Sequence, residues 1–337
     1  MKPQKLLIIK LSSLGDILQA SPVTPIIKQH FPNCAVHWLV FSSHLTLVTH
    51  NPHVDKAIGV RKNIFSLLKC GFTLLMNRYD AVIIMHRSPM LGLICRLLGY
   101  RVRIGFTDHR VNRHLTVKIP FDLTKTRRQR YSQLLSPLGI EASSEKPFVP
   151  IYVPTKETDF EVKQPCIAIG HGGGKNHESE METRRWTGFD GLIDHLTKIY
   201  SRHHIYILGD EHDADLASEY QSLSLPRVSL VAGSLSMNQT AELLSKADVF
   251  IGNDSFLLFL AASQAIPTVG IFGPTHGAFI MPEGKMFTYV QSEVSCSPCY
   301  DPIHWKTCKA YNCPYQIRCM TTIDDRRVMS AVEGVLS

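Results

Sequence analysis

The first half of the chain alternates short apolar runs with longer amphipathic stretches. The short runs have the length and apolar content of buried strands and cover residues 5–11, 35–41, 55–60 and 79–86. The amphipathic stretches have helical spacing and cover residues 15–31, 65–78 and 90–100. Strands interleaved with helices predict a parallel sheet with helices on both faces.

The second half of the chain repeats this plan. Strand-like runs cover residues 166–174, 204–210, 228–233, 248–254 and 267–274, and helix-like stretches cover 188–200, 213–223, 238–247 and 255–265. Between the halves, residues 141–165 hold four prolines and little periodicity, which places the domain boundary there. We therefore predict an α/β protein of two Rossmann-like, doubly wound domains, 1–150 and 160–337, that face a central cleft. In such sheets ligands bind beyond the carboxyl ends of the strands.

Composition is that of an ordinary soluble globular protein, with 337 residues, 44% of them hydrophobic and 19% charged. This length is long for one core and comfortable for two. The first apolar run ends where Lys10 follows Ile9, which is too short for the core of a signal peptide. No apolar run is long enough to span a bilayer, so we expect a cytoplasmic protein.

A basic segment, residues 101–130, carries much of the net charge of +7. Its basic residues face only Asp108 and Asp122 within the segment and are Arg101, Arg103, Arg110, Arg113, Lys118, Lys125, Arg127, Arg128 and Arg130. Such a segment attracts phosphates of a nucleotide or an anionic lipid, or it is simply a solvated face. Aromatic residues do not interleave with these charges in a stacking pattern, so we expect no nucleic-acid partner.

The loop after the first predicted strand, "KLSSLGDIL", contains Gly15 and Asp16 at the start of a helix. Asp16 either caps that helix by accepting its free N–H groups or serves as a general base that faces a bound hydroxyl. The glycines here do not match the G-x-G-x-x-G fingerprint of dinucleotide-binding proteins.

A second loop, "GHGGGKNHESEMETRRW", places Gly172, Gly173 and Gly174 directly after a strand. Consecutive glycines let backbone N–H groups approach an anion closely. Positive charge follows at Lys175, Arg184 and Arg185, which favours a phosphate site over a plain flexible loop. The chain lacks the G-K-[ST] ending of a P-loop, so a P-loop ATPase is excluded.

A third loop joins the strand "DVFI" to a helix through Asp254 and Ser255. Ser255 and the amides after it form a helix N-terminus that attracts anions. Asp254 would repel a phosphate, so it either caps the helix or accepts hydrogen bonds from sugar hydroxyls. The next strand ends in "FGPTH", residues 272–276, at the same edge of the predicted sheet.

Five of the nine cysteines crowd into residues 296–319. Cys296, Cys299, Cys313 and Cys319 make a candidate four-sulfur site for a structural zinc or iron ion, with Cys308 or His304 as substitutes. A reduced cluster of thiols without metal is the alternative. We identify no carboxylate pair that suits a nucleotide-bound divalent ion, so we expect no cofactor in catalysis.

Taken together, three segments resemble the heptosyltransferases that build the inner core of lipopolysaccharide. These are "KLLIIKLSSLGDILQASPVTPIIKQHFP", "GHGGG…RRW" and "GNDS…LAAS…PTVGIFGPT", which occur in the family's order from about residue 5 to the C-terminus. The resemblance implies a GT-B fold, an ADP-heptose donor and inverting transfer to a lipid-A-linked core oligosaccharide. It also implies peripheral association with the inner face of the inner membrane. Related heptosyltransferases carry a similar C-terminal cysteine group, and one autotransporter-modifying branch binds iron through it.

The resemblance also implies roles for individual residues. Asp16 matches the general base, and Arg184 stands where the family usually has a lysine that contacts the donor phosphates, so both are expected to be catalytic. The expected donor-binding residues are Gly172, Gly173, Gly174, Lys175, Asp213, Leu235, Asp254, Ser255, Phe256 and Leu257. Asp213 lies near the acidic ribose contact and Leu235 near the residue that lines the adenine site. Acceptor contacts are not assigned.

One departure from the family pattern concerns the donor site. The family usually continues Asp-Ser/Thr-Gly-x-x-His, whereas this chain has Phe256 for the glycine and Phe259 for the histidine. Either the donor pocket is altered for another sugar, or the rings turn inward and backbone amides alone serve. The alternatives are therefore a different donor, a protein acceptor, or an inactive sugar-nucleotide-binding protein. A metal-thiolate nucleic-acid binder fits the loops least well.

Overall fold

The computed structural model describes residues 2–107, 113–141, 149–154, 159–176, 179–303 and 308–337, with residues 175, 176, 179 and 180 described as backbone. The chain divides into two compact units, Met1–Val153 and Pro154–Ser337. Each unit contains one six-stranded sheet. In the part of the chain that is described, no helix combines the length and the apolar character needed to cross a membrane.

The sheet of the first unit is wholly parallel, with the order β3-β2-β1-β4-β5-β6. Its strands are β1 (Lys5–Ile9), β2 (Ala35–Phe41), β3 (Lys56–Val60), β4 (Ala81–Ile84), β5 (Arg103–Thr107) and β6 (Val117–Pro120). Its helices are α1 (Leu14–Ala20), α2 (Val23–His30), α3 (Thr46–Thr49), α4 (Ile64–Asn77), α5 (Pro89–Leu97) and α6 (Arg127–Gln133). The order reverses between β1 and β4, which is where such sheets bind ligands.

The second unit repeats the topology with the order β11-β10-β7-β12-β13-β14, again all parallel. The strands are β7 (Cys166–Gly170), β10 (His204–Leu208), β11 (Val228–Leu230), β12 (Val249–Asn253), β13 (Thr268–Phe272) and β14 (Phe287–Gln291), and β8 (Lys175–Asn176) pairs with β9 (Ser179–Glu180) as a separate hairpin. The helices are α7 (Phe189–Ile199), α8 (Glu211–Ala217), α9 (Met237–Lys246), α10 (Phe256–Ser263), α11 (Gly277–Ile280), α12 (Arg318–Thr321) and α13 (Asp325–Leu336). The prediction of two α/β, doubly wound sheets is confirmed.

The central strands are apolar without alternation because helices cover both faces of each sheet. All five residues of β7 are buried, and β12 and β13 are buried along their full lengths. Helix α7 buries Phe189, Leu192, Ile193 and Leu196 on one stripe against this sheet, at the spacing of an amphipathic helix. This packing fixes the strand ends from which the candidate site is built.

One predicted helix is wrong in its extent. Residues 15–31 form two helices rather than one, because α1 ends at Ala20 and α2 begins at Val23. Pro22 and Pro25 have no N–H group, so the hydrogen-bond ladder of α1 cannot continue through them. Helix α1 stays short, and Asp16 lies in its first turn.

Candidate functional site

In the second unit, the glycine loop and the Asp254–Ser255 loop leave adjacent strands. The glycine loop follows β7 and the Asp254 loop follows β12, and these strands pair in parallel where the strand order reverses. The carboxyl ends of the two strands therefore meet at the position where doubly wound sheets bind ligands. The sequence prediction that both loops belong to one site agrees with this placement.

Asn253, the last residue of β12, ties the two loops together. Its Nδ2 donates to the carbonyl oxygen of His171 at 2.7 Å, and its Oδ1 accepts from the backbone N–H of Trp186 at 3.2 Å. Both His171 and Asn253 are fully buried. Burial, together with the charge of Arg185, lowers the pKa of His171 to about 4, so its ring is neutral at pH 7. Sequence reasoning missed both residues, although His171 stands inside the "GHGGG" motif.

The glycines of this loop are required by close contacts. A Cβ atom on Gly172 would collide with the carboxylate of Asp213, and one on Gly173 would lie 2.5 Å from the carbonyl oxygen of Met181. Gly174 has a φ of +69°, and a Cβ there would lie 3.6 Å from Ser255. The glycine loop is therefore packed between Asp213 on one side and Ser255 on the other. The structure thus brings the glycine loop, Asp213 and Ser255, all predicted to bind the donor, close together.

Asp213 is held by a helix cap and by an arginine. It closes the capping box of α8, since its Oδ2 accepts from the Asp210 N–H at 3.1 Å, and its Oδ1 lies 3.7 Å from Nη2 of Arg185. Burial and the nearby charge of Asp210 raise the pKa of Asp213. Leu235 is half-buried in the turn before α9. That turn is anchored by a hydrogen bond from Gly233 N–H to Gly209 O, at the strand end beside α8.

Arg184 lies against Asp254. Nη1 of Arg184 donates to the Asp254 carbonyl oxygen at 3.4 Å, and Nε lies 3.6 Å from Asp254 Oδ2. The guanidinium carbon lies 5.3 Å from the ring centre of Tyr300, within cation–π range. Asp254 does not cap α10, because Ser255 occupies the N-cap position. Of its two predicted alternatives, capping is therefore wrong, and sugar recognition stays a prediction.

The start of α10 combines a free hydroxyl with two hydrophobic residues. Ser255 Oγ is buried and has no hydrogen-bond partner among the described residues. Phe256 and Leu257 are half-buried, whereas Phe259 is 2% exposed. Of the two rings, Phe259 therefore turns inward, and Phe256 stands near the loop surface.

The predicted donor-binding residue Lys175 lies in the β8–β9 hairpin, where its backbone pairs with Glu180. Its side chain lies outside the described structure.

In the first unit, Asp16 is paired with two cations. Its Oδ2 accepts from Lys10 Nζ at 2.9 Å, and its Oδ1 accepts from Arg127 Nη1 at 3.2 Å. Burial raises the pKa of Asp16, but Lys10 and Arg127, with His86, outweigh it and hold the pKa well below its usual range. These partners show an ion-paired carboxylate rather than a helix cap. Arg127 was visible in the basic segment, but nothing in the sequence linked it to Asp16.

The basic segment is more than a solvated face. Arg130 is buried, and burial, with the charges of Arg127 and Arg87, lowers its pKa to about 10. Its guanidinium lies 5.1 Å from the ring centre of Phe121, and that of Arg87 lies 4.3 Å from the same ring. Cations thus collect around the carboxyl end of β1 and β4, where an anionic ligand would be attracted.

Two of the C-terminal cysteines, Cys296 and Cys299, line a cavity in the second unit. The cavity holds about 550 Å³ and is lined by Val294, Ser295, Cys296, Cys299, Lys309, Tyr315 and Arg318. Cys308 Sγ accepts from the Asp301 N–H at 3.1 Å and donates to the Cys299 carbonyl oxygen at 3.0 Å. Burial and the neighbouring thiols raise the pKa values of Cys299 and Cys319 to about 11.

Across the ranges that the structure describes, no three His, Cys, Asp or Glu side chains are placed to hold a metal ion. The predicted set of Cys296, Cys299, Cys313 and Cys319 is therefore not assembled as a ligand shell. His304, the predicted substitute, lies outside the described residues.

The chain is similar to known glycosyltransferases. The sequence profile of glycosyltransferase family 9 (heptosyltransferase) matches residues 67–308. Lipopolysaccharide heptosyltransferase 3 of Escherichia coli is 25% identical over 295 residues, which is 80% of this chain and 83% of the relative.

Two solved structures show the fold at lower identity. ADP-heptose lipopolysaccharide heptosyltransferase II of E. coli superimposes with a TM-score of 0.75 at 18% identity and covers 98% of both chains. The iron-containing dodecameric glycosyltransferase TibC of enterotoxigenic E. coli gives 0.62 at 16% identity, covering 99% of this chain and 76% of TibC. The fold class is therefore GT-B, as the resemblance implied.

Proposed function

The chain belongs to glycosyltransferase family 9, the heptosyltransferases, and on that premise we propose that it transfers a heptose from ADP-heptose, with inversion, to a lipopolysaccharide inner-core acceptor. The names of the E. coli relatives support this donor and acceptor. The observation that carries the proposal is the site at β7 and β12, where three glycines, Ser255 and Arg184 converge beside Asp213.

For the donor, we assign the diphosphate to the glycine loop and the start of α10. Backbone N–H groups at Gly172–Gly174 and the unpaired hydroxyl of Ser255 supply donors for phosphate oxygens. Arg184 supplies the positive charge that stabilises the departing ADP. Its contacts with Asp254 and Tyr300 leave part of the planar guanidinium for bidentate phosphate contact, which the family's lysine cannot make.

For the transfer step, we assign Asp16 as the general base. The acceptor oxygen attacks the anomeric carbon, the bond from that carbon to the phosphate oxygen breaks, and ADP leaves with the electron pair. The acceptor proton passes to Asp16. Because Lys10 and Arg127 keep its pKa low, Asp16 is fully ionised at neutral pH. Such a weak base accepts the proton late, when bond formation has already made the hydroxyl acidic.

A second candidate, transfer of a different sugar, follows from Phe256. This ring replaces the family's glycine at the first turn of α10 and is half-buried rather than packed away. Phe259 does not favour this candidate, since its ring is buried. Competition between ADP-heptose and other ADP-sugars for the enzyme distinguishes the two candidates.

The proposed reaction assigns no step to a metal. The iron-containing TibC shares the fold, but the described cysteines here do not form a ligand set. A structural zinc or iron ion at these cysteines therefore stays a prediction. Elemental analysis of the purified protein tests it, with Cys296→Ser/Cys299→Ser as the variant expected to lose any bound ion.

The first experiment measures ADP release from ADP-heptose with a heptose-deficient core as acceptor. We expect acceptor-dependent release that Asp16→Ala abolishes. Asp194→Asn is the matched control, because Asp194 is a half-exposed carboxylate of α7 that pairs with Lys198 one helical turn away. Release that survives Asp16→Ala would remove the base assignment, and absence of ADP-heptose binding would overturn the donor.

A further inference from the structure

Helix α4 exposes large apolar side chains over a broad face. Ile64, Leu68, Phe72 and Leu75 follow the i, i+4, i+8, i+11 spacing of a single helical stripe, and all are exposed. Phe65, beside this stripe, is 82% exposed. The buried side of α4 is narrow and consists of Cys70 and Leu74. A helix that packs only onto its own sheet has the opposite distribution, so this face is built for contact with something else.

Helix α5 extends the exposed surface. Cys95 of α5 packs into the same core cluster as Leu74 of α4, and the Tyr100 hydroxyl after α5 donates to the Leu74 carbonyl oxygen at 2.6 Å. The two helices therefore cover the same side of the sheet. We define the apolar face as the exposed large residues of both helices: Ile64, Phe65, Leu67, Leu68, Phe72, Leu75, Met76, Met90, Ile94 and Leu97.

The apolar face exposes more apolar surface than the largest patch on an ordinary soluble monomer. The exposed fractions of its side chains add up to about six whole side chains, on the order of 1,000 Å², whereas the largest apolar patch on an ordinary monomer is about 300–600 Å². Exposed positions elsewhere are scattered, as Ile199 on α7 illustrates. A partner that covers this face would bury several large apolar side chains, and their transfer out of water would stabilise the complex.

The charges around the apolar face are mainly positive, which favours an anionic partner. On and beside α4 and α5, the exposed cations are Arg61, Lys62, Lys69, Arg78, Arg96 and Arg101, and Asp80 is the one acidic residue within residues 61–107. Two copies of such a surface would bring like charges together, which disfavours self-association through it. An anionic lipid surface combines negative headgroups with an apolar interior and complements both features.

We propose that α4 and α5 dock on an anionic lipid bilayer, with Phe65, Phe72 and their apolar neighbours entering the acyl region and the flanking cations resting on the headgroups. The inference gains its purpose from the proposed lipid-linked acceptor, but the exposed surface carries it independently. Its test therefore contains neither donor nor acceptor, so a failed transferase assay and a failed docking assay are distinguishable.

The test measures cosedimentation of the full chain with vesicles of phosphatidylglycerol and phosphatidylcholine, or of phosphatidylcholine alone. We expect binding to the anionic vesicles that weakens with added salt. Phe65→Gln/Phe72→Gln is expected to lower the partition coefficient about 100-fold, since each ring contributes about tenfold when buried in the acyl region. Ile199→Gln, which removes an exposed apolar residue elsewhere, is the matched control and leaves binding unchanged.

A second variant keeps the face apolar and measures, by tryptophan fluorescence, how deeply residue 65 enters the bilayer. Phe65→Trp is expected to retain vesicle binding and to be quenched by brominated acyl chains, whereas Ile199→Trp is not quenched. Wild type provides the fluorescence background, in which Trp38 and Trp186 are buried and Trp305 lies outside the described residues.

Three outcomes would overturn the proposal. They are a wild type that does not bind anionic vesicles, a Phe65→Gln/Phe72→Gln protein that binds like wild type, and a Phe65→Trp protein whose added fluorescence is untouched by brominated lipid. If the double variant instead converts a dimer to a monomer in sedimentation velocity, without any vesicle affinity in wild type, the apolar face belongs to a second copy of the chain.

Discussion

The balance of charge around Asp16 gives the sharpest test of its role. Burial raises the pKa of Asp16, and Lys10 and Arg127 lower it below its usual value. Replacing both cations, as Lys10→Met/Arg127→Gln, leaves burial largely unopposed. Methionine matches the apolar stem of the buried Lys10, so the core around β1 is preserved. The pKa of Asp16 should then rise above the ordinary value of a carboxyl group.

The magnitude follows from the geometry. An opposite charge within hydrogen-bond distance lowers a carboxyl pKa by about 1–3, and the lower end applies because the Asp16 side chain is 38% exposed. Without either cation, burial holds the pKa of Asp16 above that of an exposed carboxyl group. A base must be deprotonated to act, so activity is lost as the pH falls through the pKa of Asp16. The variant therefore loses activity at a higher pH than wild type, whose pKa stays well below the usual range.

The assay is kcat/KM for ADP release from about pH 4.5 to about pH 8. We expect a flat profile for wild type and an acid limb for the double variant, with Arg127→Gln alone in between. Arg113→Gln is the matched control, since Arg113 is an exposed arginine of the same basic segment. Any lost acceptor affinity lowers the whole curve without changing its shape. A double variant with a flat profile would refute either the base assignment or the control of its pKa by these cations.

Three further substitutions test the donor site and the core. Gly172→Ala drives a methyl group into the Asp213 carboxylate, so the KM for the donor should rise about tenfold with less change in kcat, as steady-state kinetics at saturating acceptor will show. Arg184→Gln leaves the buried Asp254 unpaired and should lower kcat by about 100-fold, whereas Arg184→Lys keeps the charge and should recover part of it in the same assay. Phe259→Ala empties a buried ring site and should cost about 3–5 kcal/mol of unfolding free energy in urea, while ADP affinity of the folded protein is retained.

The strands that sequence reasoning found include the central strands of both sheets, which are buried on both faces, and the edge strands β3 and β11. β7 and β12 are continuous apolar runs because helices cover both sides of the sheet, and that pattern is readable without a structure. β5, β6 and β14 were missed. β6 and β14 are edge strands with several half-buried or exposed residues, and β5 is an interior strand of only five residues that includes Arg103 and Gly105. In all three, polar residues and glycine break up the continuous apolar run by which the other strands were found.

The sequence predicted those parts of the candidate site whose residues lie close together in the chain. The glycine loop and the Asp254–Ser255 pair follow predicted strands, and the rule for doubly wound sheets places them together. The partners that set their chemistry come from far along the chain. Arg127 is 111 residues from Asp16, and Tyr300 meets Arg184 from a segment with no periodicity of its own. Local patterns predict which loops matter, but only tertiary packing supplies the counter-charges.

Asp254 and Asp16 each pair with an arginine but differ in burial, and this separates their roles. Asp254 has a side chain that is 7% exposed, so removing Arg184 from it would strand a charge in a poorly solvated position. Its pairing is best understood as fixing the orientation of the guanidinium. Asp16 has a side chain that is 38% exposed, so water or a hydroxyl can replace Arg127 at modest cost. An acceptor phosphate that attracts Arg127 would loosen this pair, raise the pKa of Asp16 and strengthen it as a base at the moment the acceptor arrives.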